Sequence, residues 1–94
     1  MPDVPAVEKI ESELSRQVAA MIGRNPEEAP PQTSLESLGI DSIRLVEILI
    51  FVEREYGVKL MEAGLTRDDL QNAASLARRI VRILQGTDPV PPAR

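Results

Sequence analysis

The chain has 94 residues, which is enough for one domain with a single modest core. Because it contains no cysteine and no histidine, thiolate nucleophiles, imidazole bases and the usual zinc sites are excluded, and we do not expect an enzyme. The net charge of -4 disfavours nucleic acid as a partner, and the sequence has neither a signal peptide nor an apolar run long enough to span a membrane. These features predict a cytoplasmic, monomeric protein that does not insert into membranes.

The first predicted element is an amphipathic helix. Apolar residues recur at spacings of three and four between Val7 and Ile22, which is typical of one buried helix face. The pattern predicts helix one over residues 5–22, because Pro5 suits the first turn of a helix and Gly23 can end one.

A long loop follows helix one. The stretch GRNPEEAPPQTSLESLGI contains three prolines and two glycines, and this composition predicts irregular structure. The loop is longer than most connections in compact domains, which indicates a functional or topological need for its length. Thr33 and Glu36 have the spacing of a capping box, so we expect one helical turn there, held to the core by Leu35 and Leu38.

Helix two is predicted to begin at Asp41 or Ser42 and to end at Tyr56, where Gly57 can adopt the left-handed conformation. The helix carries an apolar stripe that is sufficient to pack it into a core. The stripe consists of Leu45, Ile48, Leu49, Val52 and Tyr56.

A second apolar stripe lies beside the first on helix two and consists of Ile43, Val46 and Ile50. A small bundle cannot bury both stripes completely, so the second stripe predicts an exposed contact surface. The alternative is that helix two is the most buried helix and that the long loop covers the second stripe.

Two further helices are predicted after helix two. Thr66 and the acids after it are typical of the first turn of a short third helix that reaches about Asn72. Ser75 is the predicted cap of a fourth helix, which ends at Gly86. We expect this helix to carry Leu76, Ile80, Ile83 and Leu84 inward and Arg78, Arg79 and Arg82 outward near its C-terminus, where positive charge suits the dipole.

The last eight residues, 87–94, read TDPVPPAR and contain three prolines without apolar periodicity. This composition predicts a disordered tail. The start at Met1 together with such a tail favours a free-standing protein.

Asp41 and Ser42 raise a question about the start of helix two, because either residue alone is an ordinary N-cap. The simple interpretation is that the pair only caps the helix. The functional interpretation is that the helix terminus, with its unpaired N–H groups and positive dipole end, tolerates a phosphate on Ser42. Self-contained catalysis is not expected, because the chain has no histidine and no G-x-S-x-G elbow. Any reaction at Ser42 therefore depends on another protein.

The stretch LGIDSIRLVEIL resembles the phosphopantetheine attachment motif of acyl carrier proteins, in which a Leu-Gly-x-Asp-Ser-Leu sequence opens the second helix. Six residues fit the family pattern: Leu38, Gly39, Asp41, Ser42, Val46 and Glu47. Ile43 replaces the usual leucine. The resemblance implies an all-α fold, a four-helix bundle of acyl-carrier type with a long loop between helices one and two and a short third helix. It implies one acyl carrier domain over residues 1–86.

The resemblance also implies the chemistry at Ser42. A phosphopantetheinyl transferase would esterify Ser42 with 4'-phosphopantetheine from coenzyme A, using magnesium, and Asp41 would help to present the serine. The thiol of the arm would supply what the cysteine-free chain lacks, and acyl groups would travel on it as thioesters. Partner enzymes would dock on Ile43, Arg44, Val46, Glu47 and Ile50. No catalytic residue and no metal ligand is expected.

Two arginines depart from the pattern of fatty-acid carriers. Arg44 stands where those proteins often have an acid, and Arg54 also dilutes the acidic helix two, so both oppose docking on a basic partner surface. Polyketide or other specialised biosynthesis therefore stays open beside fatty-acid synthesis. Within the class the alternative is a peptidyl or aminoacyl carrier, although Gly39-Ile40 in place of Gly-Gly favours the acyl branch. Outside the class the alternative is a helical interaction module in which Ser42 is a simple cap.

Overall fold

The computed structural model describes residues 5–86, and this part of the chain is built from helices and turns. The α-helices are α1 (Val7–Met21), α2 (Ser42–Tyr56) and α3 (Ala73–Gln85), and two short 3₁₀ turns cover Pro26–Glu28 and Leu60–Glu62. No strand forms within the described range. The all-α fold is therefore confirmed, whereas the predicted tail at 87–94 lies outside the described residues.

The core is formed by the inner faces of the three α-helices and by the loops that close over them. Its largest fully buried side chains are aliphatic: Ile10, Leu14, Val18, Ile48, Val52, Leu60, Leu76 and Ile80. Full burial of one such side chain contributes about 1.5–3 kcal/mol to folding. The predicted inward stripes of helices one and two are thus the core stripes, with Leu45 and Tyr56 half-buried at the margins.

Tyr56 joins the end of α2 to the middle of α1. Its hydroxyl donates a hydrogen bond to the Glu13 carboxylate, and its ring meets Phe51 edge to face at 6.5 Å between centroids. Burial and the Glu13 carboxylate raise the pKa of the Tyr56 hydroxyl above its usual value. The hydroxyl therefore stays protonated and remains a donor across the physiological range.

The predicted short third helix is instead a single hydrogen-bonded turn at residues 67–70. Thr66 caps it as expected: its Oγ1 accepts from the Asp69 N–H at 3.2 Å, and the Asp69 carboxylate accepts from the Thr66 N–H at 3.0 Å. The turn cannot extend into a helix because Asn72 is already extended (φ −153°, ψ 172°) as the N-cap of α3. Two caps only six positions apart leave room for one turn.

The last helix begins earlier than predicted, because Asn72 and not Ser75 is its cap. Asn72 Oδ1 accepts from the Ser75 N–H at 2.7 Å, so α3 starts at Ala73. Gly86 (φ 74°) ends the helix in the left-handed conformation, as predicted. Inside α3, Ile83 and Leu84 are half-buried, in partial agreement with their predicted inward positions.

Arg79 corrects another prediction, because it was expected to point outward and the structure buries it. Its Nη1 lies 2.5 Å from the Asp69 carboxylate, and its Nη2 donates to the Ala63 carbonyl at 2.7 Å. A buried guanidinium is tolerated when a carboxylate and carbonyls surround it in this way. Arg79 thereby fixes the segment between the second 3₁₀ turn and α3. Arg78 and Arg82 are exposed, as predicted.

The long loop between α1 and α2 is tied to the start of α3. The Leu35 N–H donates to the Gln71 carbonyl and the Ala74 N–H donates to the Pro31 carbonyl, each at 2.9 Å. The predicted turn forms over residues 35–39, with Leu35 buried, but Ser34 and not Thr33 caps it by accepting from the Ser37 N–H at 3.3 Å. The loop therefore reaches α2 along a defined path.

Candidate functional site

Asp41 is the N-cap of α2, which resolves which of the two polar residues caps the helix. Its backbone is extended (φ −90°, ψ −174°) and its Oδ1 accepts from the Arg44 N–H at 2.9 Å. Its carbonyl accepts the Leu45 N–H at 2.9 Å, the first bond of the helix. Capping is thus complete without Ser42, which is the first residue inside α2.

Ser42 is exposed at this terminus, and its hydroxyl has no hydrogen-bond partner among residues 5–86. The surrounding N–H groups and the positive end of the helix dipole suit a phosphate on this oxygen. A phosphodiester of 4'-phosphopantetheine therefore fits the position. Since the chain has no histidine and the adjacent carboxylate is engaged as a cap, no group here is arranged to deprotonate the hydroxyl.

Gly39 shapes the approach of the loop to Ser42. Its φ of 86° lies in the left-handed region that a side chain would strain. This turn lets the Ile40 N–H donate back to the Leu35 carbonyl at 3.0 Å, which closes the loop just before the cap. The Leu-Gly portion of the motif is thus a turn that positions Asp41.

An open groove lies beside Ser42 and is lined by three separate segments of the chain. Its residues are Leu35, Glu36, Gly39, Ile40, Asp41, Ser42, Leu45, Arg67 and Leu70. Neither Arg67 nor Leu70 was predicted as part of the site, because both come from the turn before α3 and nothing local in the sequence relates them to Ser42. Only the fold brings them together.

The second apolar stripe of α2 is on the surface. Ile43 is 72% exposed, Val46 43% and Ile50 44%, and Glu47 beside them is exposed too. The alternative in which the loop covers this stripe is therefore wrong. An exposed apolar stripe next to an exposed hydroxyl is suited to contact with another protein.

Arg44 has a structural contact that its position in the motif did not suggest. Its Nη1 donates to the Met21 carbonyl at 2.9 Å, and Met21 is the last residue of α1. A cation at the C-terminus of a helix satisfies a free carbonyl and complements the dipole. Arg44 thus joins the end of α1 to the first turn of α2, on residues separated by 23 positions.

The Asp41 cap yields a testable prediction. Replacing Asp41 by alanine should lower the free energy of unfolding by about 1 kcal/mol, because the Arg44 N–H loses its acceptor. Asp41→Asn keeps a capping oxygen and should lose only a few tenths of a kcal/mol. Urea titrations of both variants check the effect, and equal losses in the two would show that the charge, not the cap, is what matters.

The fold and the site together define a small helical domain with an exposed serine at the N-terminus of its second α-helix. Comparison with known families agrees, since the family model described as "Phosphopantetheine attachment site" matches residues 12–80. The chain is also similar to an acyl carrier protein of Nitratidesulfovibrio vulgaris, with 33% identity over 52 residues, or 54% of this chain and 68% of that protein. No solved structure matches the chain significantly. The chain belongs to the acyl carrier protein family.

Membership of this family carries several consequences. The domain carries 4'-phosphopantetheine covalently, and the protein is a carrier and not itself an enzyme. Its partners are a phosphopantetheinyl transferase and enzymes of biosynthesis. Among the helices of residues 5–86, none has the length and apolar character needed to cross a membrane.

Proposed function

We propose that this chain is a cytoplasmic acyl carrier that is loaded at Ser42 and shuttles acyl intermediates between enzymes of fatty-acid, polyketide or related specialised biosynthesis. The observation that carries the proposal is that Asp41, and not Ser42, caps the start of α2. Asp41 accepts the capping hydrogen bond, so the Ser42 hydroxyl stays exposed and without a partner among the described residues.

In loading, this chain has only to present the Ser42 hydroxyl to the transferase. The Ser42 oxygen forms the new bond to phosphorus, the pyrophosphate bond of coenzyme A breaks, and the nucleotide half leaves with the electron pair. The proton of the hydroxyl passes to a base of the transferase, because no base is arranged at Ser42 here. The terminal N–H groups and dipole of α2 then accommodate the phosphodiester. The bound arm supplies a thiol that holds acyl groups as thioesters.

Docking of the transferase and later enzymes is proposed for the exposed face of α2 that begins at Ser42. Its residues are Ile43, Arg44, Val46, Glu47 and Ile50. The exposure of the apolar members supports this role. These side chains stay in contact with water after the chain folds, so burying them against a partner is favourable. Because Arg44 contacts the end of α1, we propose that it shapes this face and contributes less as a charge for partners.

The proposal is tested by incubating the protein with a phosphopantetheinyl transferase, magnesium and coenzyme A and measuring the intact mass. Wild type should gain one phosphopantetheine, and Ser42→Ala should gain none. Ser37→Ala is the matched control, since Ser37 is an exposed serine of the preceding loop, and it should be loaded like wild type. Absence of loading in wild type, or equal loading of Ser42→Ala, would refute the proposal.

A further inference from the structure

The groove beside Ser42 contains one cation in its wall. Two of the lining residues, Glu36 and Asp41, are acids, and Arg67 is the base among them. The apolar part of the wall comes mainly from Ile40, Leu45 and Leu70. Charge in the groove is therefore unevenly distributed, with its positive side on the turn before α3.

Arg67 is available to bind an anion. Its side chain is exposed, and it makes no ion pair or side-chain hydrogen bond with any residue in the part of the chain that the structure describes. Arg44, which also lies near Ser42 in sequence, donates to the Met21 carbonyl and does not line the groove. Arg67 is thus the arginine that lines the groove together with Ser42.

The turn that carries Arg67 is anchored on its far side. Asp69 accepts from the Thr66 N–H at 3.0 Å and pairs with the buried Arg79 at 2.5 Å. Arg79 also donates to the Ala63 carbonyl, which lies before the turn. Because the backbone is held in this way, ordering the Arg67 side chain costs less entropy than it would on a free loop.

On the basis of the proposed loading at Ser42, we propose that Arg67 is a positioning residue that pairs with the phosphodiester at Ser42 and directs the arm along the Ile40–Leu45–Leu70 wall. A phosphodiester is an anion at neutral pH, and a guanidinium binds it through parallel hydrogen bonds. Glu36 and Asp41 repel the same group, so the balance of charge favours the Arg67 side. A carboxylate on an acyl cargo is also an anion that a guanidinium binds, so the test uses the arm without cargo.

The test follows backbone amide chemical shifts of ¹⁵N-labelled protein before and after loading with coenzyme A, with intact mass to verify that each sample is loaded. In wild type, loading should shift the amides of residues 67–70 as well as those around Ser42. Arg67→Ala should reduce the shifts at 67–70 to less than about half, and Arg67→Lys should keep part of them, since lysine retains only a point charge. Arg24→Ala removes the same charge from an exposed residue outside the groove and should behave as wild type.

Three outcomes would overturn the inference. The first is equal shifts at residues 67–70 in loaded wild type and loaded Arg67→Ala. The second is a response at 67–70 that arises only when the arm bears a carboxylated acyl group, which would assign Arg67 to the cargo. The third is absence of loading in wild type by mass, which removes the proposed function itself and is distinguished from the other two before any shift is measured.

Discussion

The free energy of unfolding of Arg79→Met should be about 3–5 kcal/mol lower than that of wild type. The substitution leaves Asp69 buried without its partner and removes the donor to the Ala63 carbonyl. Because small domains are stable by only about 5–15 kcal/mol, this loss brings the protein close to global unfolding. Urea denaturation followed by circular dichroism measures it. A loss below about 1 kcal/mol would show that water, and not burial, dominates the surroundings of this pair.

The matched control for Arg79→Met replaces both partners. In the Asp69→Leu, Arg79→Met double variant no charge is left buried, so the double variant should be more stable than Arg79→Met alone. If the stability losses of Asp69→Leu and Arg79→Met add up to the loss of the double variant, a direct interaction between the two side chains is contradicted.

The same ion pair sets a dependence of stability on pH. Burial alone raises the pKa of Asp69, but the Thr66 backbone N–H, the Thr66 hydroxyl and Arg79 outweigh it, so the net pKa lies below the usual value. A depressed folded-state pKa means that the stabilisation is present above the unfolded-state pKa near 3.8 and is lost as the pH falls below it. Asp69→Asn should therefore show a shallower loss of stability than wild type below about pH 4.

Ile50→Asp should slow loading by the transferase roughly 5- to 30-fold in kcat/KM, which corresponds to about 1–2 kcal/mol of lost docking energy. The side chain is 44% exposed in the free protein, so an aspartate there is solvated and the fold is retained. Initial rates from mass spectrometry at several carrier concentrations measure the effect, and circular dichroism verifies that the helical content is unchanged.

Two controls separate docking from folding. Ile48 is 1% exposed on the same helix, so Ile48→Asp should lose the helical signal altogether. Met61 is an exposed apolar residue outside α2, 58% accessible, and Met61→Asp should be loaded at the wild-type rate. If Ile50→Asp and Met61→Asp are loaded equally fast, the second stripe is not the docking face.

Local patterns in the sequence account for most of what surrounds Ser42. The apolar periodicity predicted α1 and α2 to within two residues of their ends, because a buried helix face leaves a repeating signal. Asp41 was one of two predicted caps, and the excess of apolar residues on α2 correctly indicated an exposed stripe. Each of these features depends on residues within one helix, so a local sequence pattern is sufficient to predict it.

The features that the sequence did not reveal all depend on distant contacts. Arg79 was predicted to be outward together with Arg78 and Arg82, but a carboxylate ten positions earlier provides a partner that makes burial favourable. Arg44 contacts a carbonyl 23 positions away. Arg67 was not predicted to be near Ser42, because the groove forms only when the turn before α3 packs beside the start of α2.

These long-range contacts converge on the Ser42 region from two sides. Arg44 connects α2 to the end of α1, and the Asp69–Arg79 pair fixes the turn that forms the far wall of the groove. Rigid support of this kind holds the proposed attachment site in place while leaving the Ser42 hydroxyl exposed. In the proposed function, the fold presents Ser42 and the partner enzymes carry out the chemistry.

We propose that the hydroxyl oxygen of Ser42, which Asp41 frees from capping, carries the phosphopantetheine. Fragment-ion mass spectrometry of the transferase-treated protein tests it most directly, since it locates the added mass on a single residue. We expect the modification on Ser42 and none on the neighbouring loop serines Ser34 and Ser37. Modification of either of those serines in place of Ser42 would contradict it.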